Sequence, residues 1–332
     1  MYFVHSGLYY GLFTGHINKF IHPFYVNAFF IVSGYLFFLK YLSPKFSNQN
    51  KKSFLYGGGN ALINNVLYRL AIPTVLFSTM EFFPSHLLRG HEFTFSTFMY
   101  KTLGGCTYWF TSALVVVQIV MYLLLLTRKK TVWFYFLCSG MLFVLGRYWV
   151  ENDISLFLSY PSLPWQYKHG IYALIFFAFG GLYWRYESII IKMMNKYVLF
   201  IMTIIYATAL LLCPDEFCVL VSMLDVNIPG IFLGLLSTII LIEFCKFMPM
   251  SKLLNYLGNN TLGLYFMSGA LPIVSSMVVN KFLPTNFYGL MIVFVGSLTF
   301  ALVAVYLINK FTPWLFDLRL LWKKQVITNK NL

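Results

Sequence analysis

Long, continuously apolar runs dominate this 332-residue chain and constrain its fold more than any other feature. A helix needs roughly 17 to 25 residues to cross the hydrocarbon core of a bilayer, which is about 30 Å thick. Runs of about this length recur along the whole chain: Tyr25–Tyr41, Leu62–Phe83, Tyr108–Leu126, Thr131–Trp149, Gly170–Tyr186, Tyr197–Cys213, Ile228–Phe247, Gly258–Lys281 and Tyr288–Phe311. A tenth, incomplete run covers Met1–Phe13.

Helices rather than strands are expected, because the runs do not alternate and backbone groups in lipid must pair within their own segment. With 59% hydrophobic and 10% charged residues, the composition excludes an ordinary water-soluble domain. The sequence therefore predicts an all-α, polytopic membrane bundle of about ten transmembrane helices, forming a single domain over residues 1–332.

The 24 Lys and Arg residues collect in every second connection between the runs. Cation-rich connections face the cytoplasm, so this pattern predicts that both termini are cytoplasmic. The membrane is expected to be a bacterial-type inner membrane. Most of the ten acids, Glu81 among them, fall on the opposite side in this scheme. The net charge of +14 is then a sign of topology, and no nucleic-acid partner is predicted.

The first run is too short for a complete span. As a helix, Met1–Phe13 covers about 20 Å, which is roughly 10 Å less than the core that it must cross. We therefore expect the first helix to be truncated and the natural chain to begin upstream of Met1.

Outside the spans, the sequence offers few features. Ser47–Gly59, with its three consecutive glycines, is predicted to be a flexible cytoplasmic loop, and Trp314–Lys324 to be an amphipathic surface helix. Glu243 is expected to pair with Lys246. The five cysteines show no metal-like spacing, so neither a metal nor a tightly bound cofactor is predicted.

An ionisable residue inside a membrane is costly and is usually kept for a function. Counted back from Phe13, His5 lies about 12 Å deep, close to mid-membrane. A neutral imidazole there can take up and return a proton, which makes His5 a candidate catalytic base. The alternative is a packing histidine that bonds a backbone carbonyl.

Two further positions have both a functional and a structural interpretation. Arg69 precedes Pro73, which interrupts helical hydrogen bonding; Arg69 either binds a ligand or extends to the inner interface as a snorkelling cation. Ser33 and Gly34 form a small pair in a bulky helix, which also permits close helix packing.

Several strings, in this order, resemble the membrane acyltransferase-3 family. They are an N-terminal helix containing His5, the string FFIVSGY at Phe29–Tyr35, RLAIP at Arg69–Pro73, YWF followed by Ala-Leu within Tyr108–Leu114, and LGNNTLGLY at Leu257–Tyr265. Members of this family are integral-membrane O-acyltransferases of extracytoplasmic glycans, with ten spans and both ends inside. The resemblance covers essentially the whole chain.

The resemblance implies transfer of an acyl group, most often acetyl, from cytoplasmic acyl-CoA to a hydroxyl of an extracytoplasmic or lipid-linked glycan. His5 matches the essential first-helix histidine of the family. Arg69 matches one cation of its arginine motif and would face the phosphates of the donor, with Ser33 as a second donor-binding residue. The residues implied at the acceptor site are Asn27, Tyr108 and Trp109, although aromatic residues at this depth also form ordinary interfacial belts.

The chain departs from the family pattern in several places. A cation that precedes the family histidine would fall before Met1, and Val66 stands where a second motif arginine is common. Many relatives carry an acid near Asn27 and a histidine at the position of Ser268. Two other classes stay open at this point: a multispanning transporter or flippase of glycan precursors, and an inactive glycan-binding relative.

Overall fold

The computed structural model describes residues 1–12, 21, 23–43, 51–89, 94–127, 131–151, 165–212, 228–249 and 251–321. In these ranges the chain forms helices and no strands. The first half contains α1 Tyr2–Tyr10, α2 Asn27–Tyr41, α3 Lys51–Val66, a π-helical segment Leu67–Ala71, α4 Ile72–Arg89, α5 Phe95–Lys101 and α6 Trp109–Leu125. The second half contains α7 Val132–Glu151, α8 Tyr167–Met193, α9 Lys196–Leu212, α10 Ile228–Phe247, α11 Lys252–Asn259, α12 Thr261–Val279 and α13 Phe287–Phe311.

The prediction of a polytopic helical membrane bundle is confirmed. Among the described residues, seven helical stretches are long and apolar enough to span a membrane, and α6 and α9 are shorter apolar helices. One of the seven stretches, Lys52–Pro84, runs through α3, the π-helical segment and α4 without interruption. Together with the nine-residue α1, these helices match the ten predicted runs.

The larger group of helices surrounds α8, which contacts α2, α6 and α7. Glycines allow α2 and α8 to pack backbone against backbone. A Cβ atom at Gly34 would lie 2.7 Å from the carbonyl carbon of Phe177, and one at Gly180 would lie 2.6 Å from the nitrogen of Tyr35. Gly34 therefore has the packing role that the sequence allowed for this small pair.

A second group consists of α1, α12 and α13, which pack against one another. Helix α4 contacts α12, and Tyr108, which precedes α6, packs against Phe266 of α12 with ring centroids 5.0 Å apart. These contacts join the two groups, and the candidate site lies where they meet.

The prediction of a flexible loop over Ser47–Gly59 was wrong for residues 51–59, which belong to α3; residues 47–50 lie outside the described residues. Tyr122 of α6 holds this part of α3, because its hydroxyl donates to the carbonyls of Phe54 and Leu55 at 3.1 and 3.2 Å. At Gly58 a Cβ atom would lie 2.9 Å from the same hydroxyl. The glycines thus permit close helix packing here rather than flexibility.

The amphipathic helix expected over Trp314–Lys324 does not begin at Trp314: Pro313–Leu315 form a 3₁₀ turn, and within the described residues only 319–321 are helical. Phe316 then stacks on Phe77 of α4, with ring centroids 5.4 Å apart, so the segment is anchored to the bundle. The pairing of Glu243 with Lys246 is confirmed at 3.0 Å.

Candidate functional site

His5 lines a cavity of about 170 Å³ between α1, α4, α12 and the start of α6. Its Nδ1 lies 2.7 Å from the carbonyl oxygen of Ser268 on α12. A carbonyl oxygen can only accept, so Nδ1 carries the proton of the neutral ring and Nε2 carries the lone pair. The hydrogen bond to a backbone carbonyl that is expected of a packing histidine is therefore present. The same hydrogen bond also fixes the tautomer that a general base needs.

Other residues of α1 hold this helix in place. The Tyr2 hydroxyl donates to the carbonyl of Leu264 at 2.7 Å, and the Tyr10 hydroxyl donates to that of Pro284 at 2.8 Å. Phe3 packs edge-to-face on Phe294 with ring centroids 5.7 Å apart. These contacts fix the position of α1 against α12 and α13, and thereby the position of the His5 ring.

Ser268 contributes its backbone rather than its side chain to His5. Its hydroxyl donates to the carbonyl of Tyr265 at 2.7 Å within the same helix. The contact with His5 therefore does not depend on which side chain occupies this position.

Tyr108 and Trp109, two of the predicted acceptor residues, line the same cavity as His5. The Tyr108 hydroxyl donates to the carbonyl of Phe266 at 2.6 Å, and its ring lies edge-to-face against Tyr265 with centroids 5.6 Å apart. Tyr9, Tyr25 and Tyr265 complete an aromatic wall. The structure thus brings the proposed base and an aromatic surface together.

Glu81 of α4 lines the cavity but was not predicted as a site residue, because the sequence analysis counted it among the outward acids. A Cβ atom at Gly269 would lie 2.8 and 3.0 Å from the two carboxyl oxygens, so the glycine lets Glu81 approach the α12 backbone. The carboxyl group also interacts with the Tyr108 hydroxyl. One signal was available: Glu81 lies within the predicted span Leu62–Phe83.

Asn27 and Ser33 are not among the residues that line this cavity. Asn27 is buried, and its Nδ2 donates to the carbonyl of Pro23 at 2.7 Å. Its neighbours Tyr25 and Val26 do line the cavity, so Asn27 lies directly behind the wall. Ser33 lies further along α2, next to the glycine that contacts α8.

Arg69 lies in the π-helical segment, whose wider turns precede Pro73. Pro73 has no N–H group to donate to the carbonyl four residues earlier, which is that of Arg69. The C-terminal segment packs beside this turn, because the Leu318 amide donates to the Tyr68 carbonyl at 3.1 Å. The irregular backbone predicted around Pro73 is therefore present and is covered by residues from the other end of the chain.

Arg319 is a second cation in this region, although Val66 lacks a charge. Its Nε donates to Asp317 Oδ1 at 2.7 Å. Burial alone would raise the pKa of Asp317, but hydrogen bonds from Arg319 and the charges of Arg319 and Arg69 outweigh it and lower the pKa. The C-terminal segment thus places Arg319 and Asp317 in the neighbourhood of Arg69.

A stack of aromatic rings joins the C-terminal segment to the cavity wall. Phe316 stacks on Phe77 at 5.4 Å, and Phe77 stacks on Phe266 at 4.6 Å between ring centroids. Phe266 in turn supplies the carbonyl that accepts from Tyr108. The two candidate regions are therefore connected through packed side chains of α4 and α12.

The described part of the chain contains no group of three or more His, Cys, Asp or Glu residues that could hold a metal ion. The titratable side chains in the described cavity lining are the imidazole of His5, the carboxyl group of Glu81 and the hydroxyls of the tyrosines, and Met1 lines the same cavity.

These features define a polytopic membrane protein with an intramembrane acid–base cavity. Residues 1–309 match the model of the acyltransferase-3 family, which is described as an acyltransferase domain. The chain therefore belongs to this family and is a membrane acyltransferase. No curated protein and no solved structure matches the chain.

Proposed function

We propose that this protein is an O-acetyltransferase of a bacterial-type inner membrane, with both termini in the cytoplasm. It transfers an acyl group from cytoplasmic acetyl-CoA to a hydroxyl of an extracytoplasmic or lipid-linked glycan. Acetyl-CoA acts as a co-substrate, and no tightly bound cofactor takes part. Membership of the acyltransferase family supports the reaction class, and the cation distribution supports the orientation.

The observation that carries the proposed mechanism is the 2.7 Å contact between His5 Nδ1 and the Ser268 carbonyl. Because this contact leaves the lone pair on Nε2, His5 takes the proton of the sugar hydroxyl as the oxygen attacks the thioester carbonyl. The C–O bond forms, the C–S bond breaks, and the proton on Nε2 passes to the leaving thiolate. The ring returns to its starting tautomer.

The donor enters from the predicted cytoplasmic side, where Arg69 binds its phosphates with charge-assisted hydrogen bonds and Ser33 contributes a hydroxyl. Arg69 and Glu81 are twelve residues apart on one continuous helix, which is roughly 18 Å along its axis. The extended pantetheine arm of CoA separates phosphates from thioester in the same way. This spacing supports a donor that reaches from Arg69 to the cavity.

The acceptor approaches from the opposite side and packs against Tyr108 and Trp109. Both line the cavity with His5, which supports this assignment. Asn27 contributes indirectly: its side chain donates to the carbonyl of Pro23, and this hydrogen bond holds the turn that carries the lining residues Tyr25 and Val26.

The test compares acetyl transfer by the wild-type protein, His5→Gln and Tyr10→Phe. Purified protein in proteoliposomes receives radiolabelled acetyl-CoA and an envelope glycan acceptor. Loss of a general base lowers kcat by about 10²- to 10⁴-fold, so His5→Gln should fall in this range. Tyr10→Phe removes one hydrogen bond from the same helix without changing a residue that lines the cavity, and it should stay within about threefold of wild type.

Two outcomes contradict the proposal. Transfer that survives in His5→Gln would remove His5 as the base. No transfer by wild-type protein to any envelope glycan would instead favour a transporter or flippase of glycan precursors, or an inactive relative that only binds them.

A further inference from the structure

We infer that Arg319 binds a phosphate of the CoA donor together with Arg69, so that the C-terminal segment, residues 312–321, forms part of the donor site. This inference rests on the proposed function, because it adds a residue to the donor end of the same site. Arg319 lies outside residues 1–309, which match the family model, so membership of the family assigns it no role.

The backbone brings these two arginines together from distant parts of the chain. The Leu318 amide donates to the Tyr68 carbonyl at 3.1 Å. Arg319 and Arg69 are the next residues along the chain from these two. The hydrogen bond therefore keeps both arginines on adjoining backbone, whichever rotamers their side chains adopt.

Asp317 links the side chains of the two arginines. Its carboxyl group accepts from Nε and Nη2 of Arg319 at 2.7 and 2.5 Å. Burial would raise the pKa of Asp317, but the hydrogen bonds from Arg319 and the charges of Arg319 and Arg69 lower it. One carboxylate thus interacts with two guanidinium groups.

The C-terminal segment is packed in a way that presents Arg319 in a fixed position. Phe316 stacks on Phe77 with ring centroids 5.4 Å apart. On α12, Gly263 leaves room for the same ring, because a Cβ atom there would lie 2.8 Å from Cζ of Phe316. The two-point bond to Asp317 also orients the guanidinium plane of Arg319. A cation held in this way loses less side-chain entropy when it binds a ligand.

The charge and exposure of this cluster suit a phosphate ligand. Two arginines and one aspartate leave one net positive charge. The side chains of Arg319 and Asp317 are 36% and 21% exposed, and Arg69 is exposed, so a ligand can reach all three. A guanidinium has five N–H donors, and Asp317 takes two from Arg319, so three can be offered to phosphate oxygens.

CoA is the phosphate source that the proposed reaction brings to this side of the membrane. It carries a diphosphate and a separate 3′-phosphate, which together hold more negative charge than one guanidinium can balance. A second guanidinium beside Arg69 supplies further charge-assisted hydrogen bonds to these groups. Arg319 therefore complements Arg69 in binding the donor.

The experiment measures the Kd of radiolabelled CoA for the full chain in phosphatidylcholine nanodiscs. Arg319→Gln should weaken binding by about 10-fold, because it removes charge-assisted hydrogen bonds to a phosphate. Arg319→Lys keeps the charge without the planar fork and should recover part of this loss. The matched control is Arg185→Gln at an exposed position of α8, which loses the same charge and should stay within about twofold of wild type.

Asp317→Asn separates phosphate binding from a purely structural role of the ion pair. If Arg319 only held the segment in place through Asp317, both Arg319→Gln and Asp317→Asn would weaken CoA binding. Binding of phosphate by Arg319 predicts a different result for Asp317→Asn, which removes a negative charge beside the ligand. Its affinity for CoA should be unchanged or higher by up to about fivefold. Thermal unfolding checks that every variant is folded.

The outcomes separate this inference from the proposed function. Absence of CoA binding by wild-type protein overturns the donor of the proposed function and this inference with it. Equal Kd values for wild type and Arg319→Gln overturn the inference and leave the proposed function standing. Weaker binding in both Arg319→Gln and Asp317→Asn would give Arg319 a structural role only. Loss of bound phosphatidylglycerol from Arg319→Gln in native mass spectrometry, with the Kd for CoA unchanged, would show that the cluster binds a lipid headgroup instead.

Discussion

The close contact between α2 and α8 predicts that alanine at Gly34 or Gly180 will destabilise the protein, because backbone atoms fill the space beside both glycines. In Gly34→Ala the new methyl group would lie 2.7 Å from the Phe177 carbonyl carbon and closer still to its oxygen. In Gly180→Ala it would lie 2.6 Å from the Tyr35 nitrogen. Helix backbone cannot rotate away as a side chain can, so the two helices must separate.

The required movement sets the magnitude. An ordinary van der Waals contact begins at 3.4 Å, so to relieve the 2.7 Å contact alone α2 and α8 must move apart by about 0.7 Å. Overpacking of a well-packed interior costs typically 1 to 3 kcal/mol. We expect the upper end, about 3 kcal/mol, for each substitution. The double variant should cost less than the sum, because one separation of the helices relieves both contacts.

The matched controls are Gly140→Ala in α7 and Gly296→Ala in α13, since nothing lies within 4 Å of a Cβ atom at either position. Their free energy of unfolding should be unchanged or slightly increased, because alanine has the higher helix propensity. Unfolding by SDS titration in mixed micelles measures all five proteins against wild type. Equal stability of Gly34→Ala and Gly140→Ala would refute the close crossing of α2 and α8.

Two further predictions concern segments held by few contacts. Tyr122→Phe removes the hydroxyl that donates to the carbonyls of Phe54 and Leu55. We expect amide hydrogen exchange in the first half of α3 to be faster, because the free energy of local opening should fall by about 1 kcal/mol. The control Tyr197→Phe, at an exposed tyrosine, should leave the exchange rates of α3 unchanged. Wild-type exchange rates in Tyr122→Phe would show that α3 does not depend on the Tyr122 hydroxyl. Asp317→Asn should loosen the C-terminal segment at pH 7 by up to about 1 kcal/mol, seen as faster exchange of the Leu318 amide. The folded pKa of Asp317 is depressed, so its contribution is present above the unfolded value of about 3.9 and is lost as the pH falls through the folded value. The Leu318 exchange rates of wild type and Asp317→Asn, corrected for the effect of pH on exchange itself, should therefore become equal in acid. A difference that persists in acid would show that the ion pair does not cause it.

The architecture was predictable because a bilayer imposes one simple requirement, an apolar helix of sufficient length. Each predicted run from Tyr25–Tyr41 to Tyr288–Phe311 coincides with a helix, since hydropathy over about 20 residues decides insertion. The glycines of Ser47–Gly59 were misread for a related reason. Glycine weakens an isolated helix, but here the partner Tyr122 lies 64 residues from Gly58, and local sequence carries no sign of it.

The site was only partly predictable. His5, Tyr108 and Trp109 were named from the sequence and meet in one cavity, whereas Asn27 and Ser33 do not line it. The connection between α1 and α12 that creates the site runs through contacts more than 260 residues apart, such as His5 with Ser268. Periodicity and hydropathy describe single helices, so they cannot show which helices become neighbours.

Two acids within the predicted spans show why charge alone does not identify a site in a membrane protein. Glu243 meets a cation and a hydroxyl: Lys246 lies 3.0 Å from its carboxyl group, and Tyr183 donates to the same oxygen. The charge of this carboxylate is balanced inside the protein, where Glu243 joins α10 to Tyr183 of α8. Glu81 instead lies on the wall of the cavity that His5 and Met1 also line. Its position beside the proposed base, rather than its charge, assigns Glu81 and not Glu243 to the site.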